Sequence, residues 1–127
     1  MLFYRVETDK CEGPYRNNLP QSMGDYLSSL NKMEDYTYTH PLPENEPEFY
    51  LLFWNPDHKK RQYMYDYIFG FSDIDKIFDW FYMDEEMDYL KANNFHVSVY
   101  ETEVRHDGEY QSVARKDSIK KIEEISF

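Results

Sequence analysis

Between Ser72 and Leu90 the chain reads SDIDKIFDWFYMDEEMDYL, and Ile74, Ile77, Phe78 and Phe81 fall at i, i+3, i+4 and i+7. That spacing predicts a helix with one apolar stripe, which must be buried against another element. Ser72 is placed to cap it, and Asp73 and Asp75 suit the positive end of its dipole. A second short helix follows, capped by Asp84 and carrying Met87 and Leu90. It stops at Asn93-Asn94, residues that tolerate the left-handed conformation. The two helices form an elbow.

The flanking segments change period. LFYRVE alternates Leu2, Tyr4 and Val6 with Phe3, Arg5 and Glu7, the pattern of a half-buried strand over residues 2 to 8, which Gly13-Pro14 ends. Met23, Tyr26, Leu27 and Leu30 return to helical spacing behind Ser22, giving a helix over 23 to 33. HPLPENEPE is too rich in proline for regular structure. FYLLFW, the turn NPDHKK and RQYMYDYIFGF then read as an antiparallel strand pair. FHVSVYETEV alternates Phe95, Val97 and Val99 with His96, Ser98 and Tyr100. Asp107-Gly108 predicts a tight hairpin returning through EYQSVA. Ser118 opens an expected terminal helix containing Ile119 and Ile122. The order of elements predicts an α+β fold, a mainly antiparallel sheet with short helices packed on one face.

With 127 residues the chain can bury one core, so residues 1–127 are expected to form a single domain. Aromatics make up 19% of it, which argues against disorder and makes large rings the bulk of that core. Cys11 stands alone, so one chain can form neither an intramolecular disulfide nor a cysteine-based metal cluster, which fits a reducing cytosol. The N-terminus lacks a long apolar run, so neither a signal peptide nor a membrane span is expected.

Charge is the strongest functional signal. There are 25 acidic and 14 basic residues, a formal net charge of -11, which argues against direct binding to nucleic acid or anionic lipid. The natural partner of such a chain is basic. The acids concentrate on the elbow: Asp66, Asp73, Asp75, Asp79, Asp84, Glu85, Glu86 and Asp88 stand against the single base Lys76 in that interval. Asp75 and Asp79 are i, i+4 neighbours, an arrangement that costs a helix roughly 0.2–0.5 kcal/mol. One reading is a solvated face on an acidic protein. The sharper reading is a row of carboxylates that occupies a cationic channel kept for phosphates, with Trp80 and Tyr82 anchoring the contact. The partner-binding set is then Asp73, Asp75, Asp79, Trp80, Tyr82, Asp84, Glu85, Glu86 and Asp88.

Other chemistries find less support. DIDKIFD lacks the glycine and the oxygen-ligand series of a calcium loop, and His40, His58, His96 and His106 are scattered without zinc-ligand spacing. His96, facing away from Phe95, Val97 and Val99, reads as a surface or hydrogen-bonded imidazole rather than a base. There is no GxSxG, P-loop, GxGxxG or CxxC motif, so no catalytic residue, metal or cofactor is assigned.

Two resemblances add to this. The layout FYRVE, EGPY, a histidine-proline loop, YIFGFSDIDKIFDWF, NNFHVSVYE and EYQSVA, which spans nearly the whole chain, resembles small accessory proteins of phages and prophages. Small acidic proteins of that kind resemble inhibitors of host defence nucleases, of anti-CRISPR or anti-restriction type. The resemblance therefore implies a binding protein that occupies the basic surface of a CRISPR or restriction nuclease, with nucleic-acid mimicry as one means. Arg5, Ser72 and Glu109 also occur in an order similar to that of ADP-ribosyltransferase folds. Gln111 stands where those enzymes place the catalytic acid, which argues against activity. A structural or self-associating phage component is the third reading.

Overall fold

The computed structural model describes residues 1–14, 23–30, 46–49, 52 and 66–127. Its strands are β1 (Leu2–Glu7), β2 (Tyr67–Gly70), β3 (His96–Thr102), β4 (Arg105–Asp107), β5 (Ser112–Arg115) and β6 (Ile119–Ser126). Its helices are α1 (Met23–Ser29), α2 (Ile74–Trp80) and α3 (Asp84–Ala92), with short 3-10 turns at Pro47–Phe49 and Lys116–Ser118. The strands form two three-stranded sheets, ordered β1-β3-β6 and β2-β5-β4, with every pairing antiparallel. The α+β class with antiparallel pairing is what the chain adopts, divided over two sheets.

Among the described residues a single bridge joins the sheets. Tyr4 N–H donates to the Phe71 carbonyl at 2.9 Å, and Phe71 N–H donates back to the Tyr4 carbonyl at 2.8 Å. Gly70 makes this approach possible, because a Cβ there would lie 2.4 Å from the Tyr4 oxygen and 2.6 Å from the Phe3 ring. Arg105 spans the same seam, donating from Nη1 to the Leu2 carbonyl at 2.7 Å.

β3 runs between β1 and β6, and its two faces are covered by the helices and by the second sheet, so His96 through Tyr100 are all buried. On one face Val6 and Val97 meet Met23 and Leu27 of α1, Ile77 and Trp80 of α2, and Tyr89 and Leu90 of α3. This is the helix-covered core that the helical spacings require. On the other face Phe3 and Tyr100 meet Ala114 of the second sheet, with Ile68 and Ile119 beside them. Among the described residues no helix is long and apolar enough to cross a membrane.

Several expectations need correction. The terminal segment is not a helix: Lys116–Ser118 is a 3-10 turn and Ile119–Ser126 is β6, paired with β3. The isoleucines at 119, 122 and 125 mimic a helical stripe. In the strand a bulge between the partners of Val99 and Tyr100 absorbs Ile122 and reverses the alternation. Ile119 therefore joins the Phe3–Tyr100 cluster, while Ile125 packs on the helix-covered side.

The cap of α2 is Asp73, not Ser72, and its carboxylate accepts from Lys76 N–H at 3.1 Å. Asp84 is the first residue of α3 rather than its cap, which is Met83. Asn94 does take the left-handed conformation, with φ 62. The hairpin at Asp107-Gly108 exists, but Asp107 pairs with Ser112, so residues 108–111 form the loop and no glycine there has positive φ. Gly108 serves close packing instead: a Cβ would meet Glu46 Oε1 at 2.7 Å and the Phe49 ring at 2.8 Å.

The predicted strand over 95–104 ends at Thr102, and β4 belongs to the other sheet. Phe49 lies in a 3-10 turn rather than a strand, and β2 pairs with β5. Ser22, residues 31–33, most of FYLLFW, the turn NPDHKK, residues 61–65, His40 and His58 lie outside the described residues.

Candidate functional site

The helical elbow places the predicted partner residues in three ways. Asp75 and Asp79 are exposed on α2 with Phe78 between them, and positions i, i+3 and i+4 share one helical face. Phe78 is 49% exposed and Tyr82, just beyond the helix, 51%. Asp84 and Asp88 are exposed at i, i+4 on α3. Asp73 is also exposed, but its carboxylate is committed to the cap.

Trp80 and Glu86 do not belong to this surface. Trp80 is buried, with its ring edge-on to Phe71 at 5.7 Å between centroids. Glu86 is fully buried, and its Oε1 accepts from Met83 N–H at 3.3 Å. Glu85 is half-buried. The buried row of α2 is thus Ile77, Trp80 and Phe81, with Ile74 beside it, rotated by one position from the row predicted. That rotation exchanges Phe78 for Trp80 at the surface.

The single base of the segment, Lys76, is half-buried and helps to lower the pKa of Asp107 on β4. Burial pushes the Asp107 carboxyl up, but hydrogen bonds from Arg105 and Ser112 outweigh it and hold the group below the usual carboxylate range. Arg105 grips it with Nε–Oδ1 at 2.7 Å and Nη2–Oδ2 at 3.1 Å, and Ser112 Oγ donates to Oδ1 at 2.7 Å.

A second polar group lies on the opposite face of the β1-β3-β6 sheet from α1, α2 and α3. Alternation puts Arg5 and Glu7 on one side of β1 and His96, Ser98 and Tyr100 on one side of β3. The register sets Arg5 opposite Ser98 and Glu7 opposite His96. Glu7 is fully buried and accepts from Arg5 Nε at 2.9 Å, from Ser98 Oγ at 3.0 Å and from the Tyr100 hydroxyl at 2.6 Å. Arg5 also donates from Nη1 to the Phe69 carbonyl at 2.9 Å, tying the row to the second sheet. Burial, and after it Glu7, pushes the Tyr100 hydroxyl far above the ordinary phenol range and keeps it a donor.

Because the Ser98 proton goes to Glu7, the Ser98 oxygen accepts from His96 Nε2 at 2.9 Å, which assigns the ring proton to that nitrogen. His96 is therefore the hydrogen-bonded imidazole expected. Ser98 is fully buried with its proton committed, so the row offers no accessible nucleophile. The sequence shows each half of this row by alternation. It gives no signal that β1 lies beside β3, and the row is missed for that reason.

Among the described residues, Asp9, His96 and Glu124, whose ligand atoms lie within 4.8 Å of one another, are the group that could hold a metal ion. The Lys121 ammonium is hydrogen-bonded to Glu124 and stands 3.5 Å from His96 Nε2, so a cation of the protein itself already neutralises this corner. Glu124 in turn raises the pKa of Lys121, chiefly through that hydrogen bond.

The residues of the transferase-like pattern serve elsewhere. Arg5 is bound to Glu7 and the Phe69 carbonyl, the Ser72 carbonyl faces Arg105 Nη1 at 3.5 Å, and Glu109 is exposed in the hairpin loop. None of these bonds joins one of the three to another.

No curated protein and no solved structure matches this chain. A family match covers residues 1–127, and on that match the chain belongs to the phage-protein family described as Bacteriophage T4 Y00F protein.

Proposed function

We propose that this phage-family protein is an acidic inhibitor that docks its helical elbow on the basic surface of a nucleic-acid-handling host defence enzyme, of CRISPR or restriction type. The observation that carries the reading is the exposure of Phe78 and Tyr82, at 49% and 51%, among the exposed carboxylates of Asp75, Asp79, Asp84 and Asp88. Aromatic anchors supply most of the energy of a protein contact, and surrounding charges choose the partner and speed its approach. A basic nucleic-acid channel offers the complementary charge. Carboxylates at i, i+4 recur about every 6 Å along each helix, a row that can stand in for phosphates.

The test is displacement of a fluorescent DNA duplex from purified restriction and RNA-guided nucleases. The parent protein should release DNA from one of them, and the Phe78→Ser and Asp79→Lys proteins should release far less. If no nuclease loses its DNA, or if both variants act like the parent, the elbow is not an inhibitory surface.

A further inference from the structure

We propose that Asp9, His96 and Glu124 form a divalent-metal site of zinc type, in which the imidazole binds the ion through Nδ1 and the two acids supply carboxylate oxygens. The three come from separate parts of the chain: Asp9 from the turn after β1, His96 from the start of β3 and Glu124 from β6. Their ligand atoms lie within 4.8 Å of one another. Zinc takes nitrogen and carboxylate oxygen at about 2.0–2.2 Å in a tetrahedron, which sets neighbouring ligand atoms about 3.4 Å apart. His96 Nδ1 and Asp9 Oδ1 stand 3.6 Å apart, too far for a hydrogen bond and close to that spacing.

The histidine is prepared as a ligand. A metal-binding imidazole needs one bare nitrogen, and its other N–H is as a rule held by a carboxylate, a carbonyl or water that fixes the tautomer. Here Nε2–H donates to Ser98 Oγ at 2.9 Å, and Ser98 donates to the buried Glu7 carboxylate at 3.0 Å. The relay keeps the ring proton on Nε2 and leaves the lone pair on Nδ1, the nitrogen that faces Asp9. The ring is buried, so packing fixes its orientation before an ion arrives. This support lies in the buried row, outside the three ligands, and it separates the group from a chance cluster of surface acids.

Lys121 is the internal competitor. Its ammonium is hydrogen-bonded to Glu124 and stands 3.5 Å from His96 Nε2. Glu124 Oε1 lies 3.4 Å from that same nitrogen, so to join Asp9 and Nδ1 it must leave the lysine and shift along the ring. Both side chains reach solvent and have room to move, Glu124 at 51% exposure and Lys121 at 32%. Binding exchanges one cation for another at a corner that needs one, and the net charge of -11 favours the doubly charged ion. One nitrogen and two oxygens leave a fourth position for water. They are too few for calcium, which takes about six to eight oxygens. The bound ion ties the turn after β1 to β3 and β6. The elbow lies on other elements, and this site stands whether or not the elbow binds a nuclease.

The test is calorimetric titration of the full chain with zinc chloride at neutral pH and physiological salt, with calcium chloride as the contrast and circular dichroism as the check on folding. Nitrogen NMR of the imidazoles identifies the atom that takes the metal. One zinc per chain should bind, with the His96 Nδ1 signal shifted and the proton kept on Nε2, and calcium should bind at least about tenfold more weakly. Asp9→Asn, at a side chain 88% exposed, should leave the fold intact and weaken zinc at least about tenfold. Lys121→Met removes the competing charge and should bind zinc about tenfold more tightly than the parent. A parent that binds no zinc overturns the proposal, as does zinc carried on a different nitrogen, calcium held as tightly as zinc, or an affinity that Asp9→Asn or Lys121→Met leaves unchanged.

Discussion

The buried row on β1 and β3 and the acidic face of the elbow use charge in opposite ways. In the row, Glu7 is withdrawn from water and receives three donors, from Arg5, Ser98 and Tyr100. A buried carboxylate survives only with such a set, and its partners are committed to it. On the elbow, Asp75, Asp79, Asp84 and Asp88 face solvent, and none of the ion pairs among the described residues involves them. The row holds two strands in register, and Glu7 has nothing left to offer a partner. The exposed acids of the elbow contribute little to the fold, whose core its other face builds, and their charge stays in water. In this molecule the buried Glu7 is tied into the structure, whereas the charges of Asp75, Asp79, Asp84 and Asp88 stay in water.

The comparison breaks first at Glu7. Glu7→Leu should lower the stability measured by urea unfolding by about 3–5 kcal/mol, because it strands the Arg5 guanidinium and two hydroxyls in a dry site. A loss below 1 kcal/mol, by the same measurement, would mean that water reaches the row and that its bonds are not structural. Tyr100→Phe removes one donor and leaves the rest of the set. The expected loss is about 1.5–3 kcal/mol, the range for a hydrogen bond to a charged group.

Asp107 lies between the two extremes, half gripped and half in water. Its carboxyl is held low by Arg105 and Ser112 against the opposing effect of burial. A group whose folded pKa is depressed adds stability that is present above its unfolded pKa, near 3.9, and is lost as the pH falls through the folded value. Asp107→Asn should therefore cost about 1 kcal/mol at neutral pH, after allowance for solvent screening, and should flatten the loss of stability below about pH 4. Parallel pH curves for the parent and the variant would show that the Arg105 grip does not contribute.

How far the sequence shows this division depends on the range of the signal. The helical spacing around Ile77 and Phe81 and the alternation in β1 and β3 are local, and they place the elements correctly. The cap lies one residue later than the spacing suggests because Ser72 and Asp73 are both capping residue types, and it is Asp73 that accepts from the Lys76 N–H; the spacing alone does not rank them. The exchange of Phe78 for Trp80 rests on a tertiary contact, the packing of Trp80 in the core with its ring edge-on to Phe71, which helical spacing does not contain. The isoleucines of β6 fit two periods, and the bulge that resolves them depends on the partner strand. The row around Glu7 needs the pairing of residues about ninety positions apart, which no local pattern contains.

The smallest expected effect is the most discriminating. Asp79 lies in the last turn of α2, which carries no basic residue, so its charge meets the negative end of the helix dipole and also repels Asp75 one turn earlier. Asp79→Lys reverses both terms: an acid four residues before a lysine is the favourable orientation, and a cation suits the helix C-terminus. The variant should be more stable than the parent by about 0.5 kcal/mol in urea unfolding, while losing the ability to displace DNA from its target nuclease. An aspartate that lowers stability and is required for binding is functional charge. If Asp79→Lys is no more stable and competes as well as the parent, the elbow is a solvated face, and the contrast with the Glu7 row is one of burial alone.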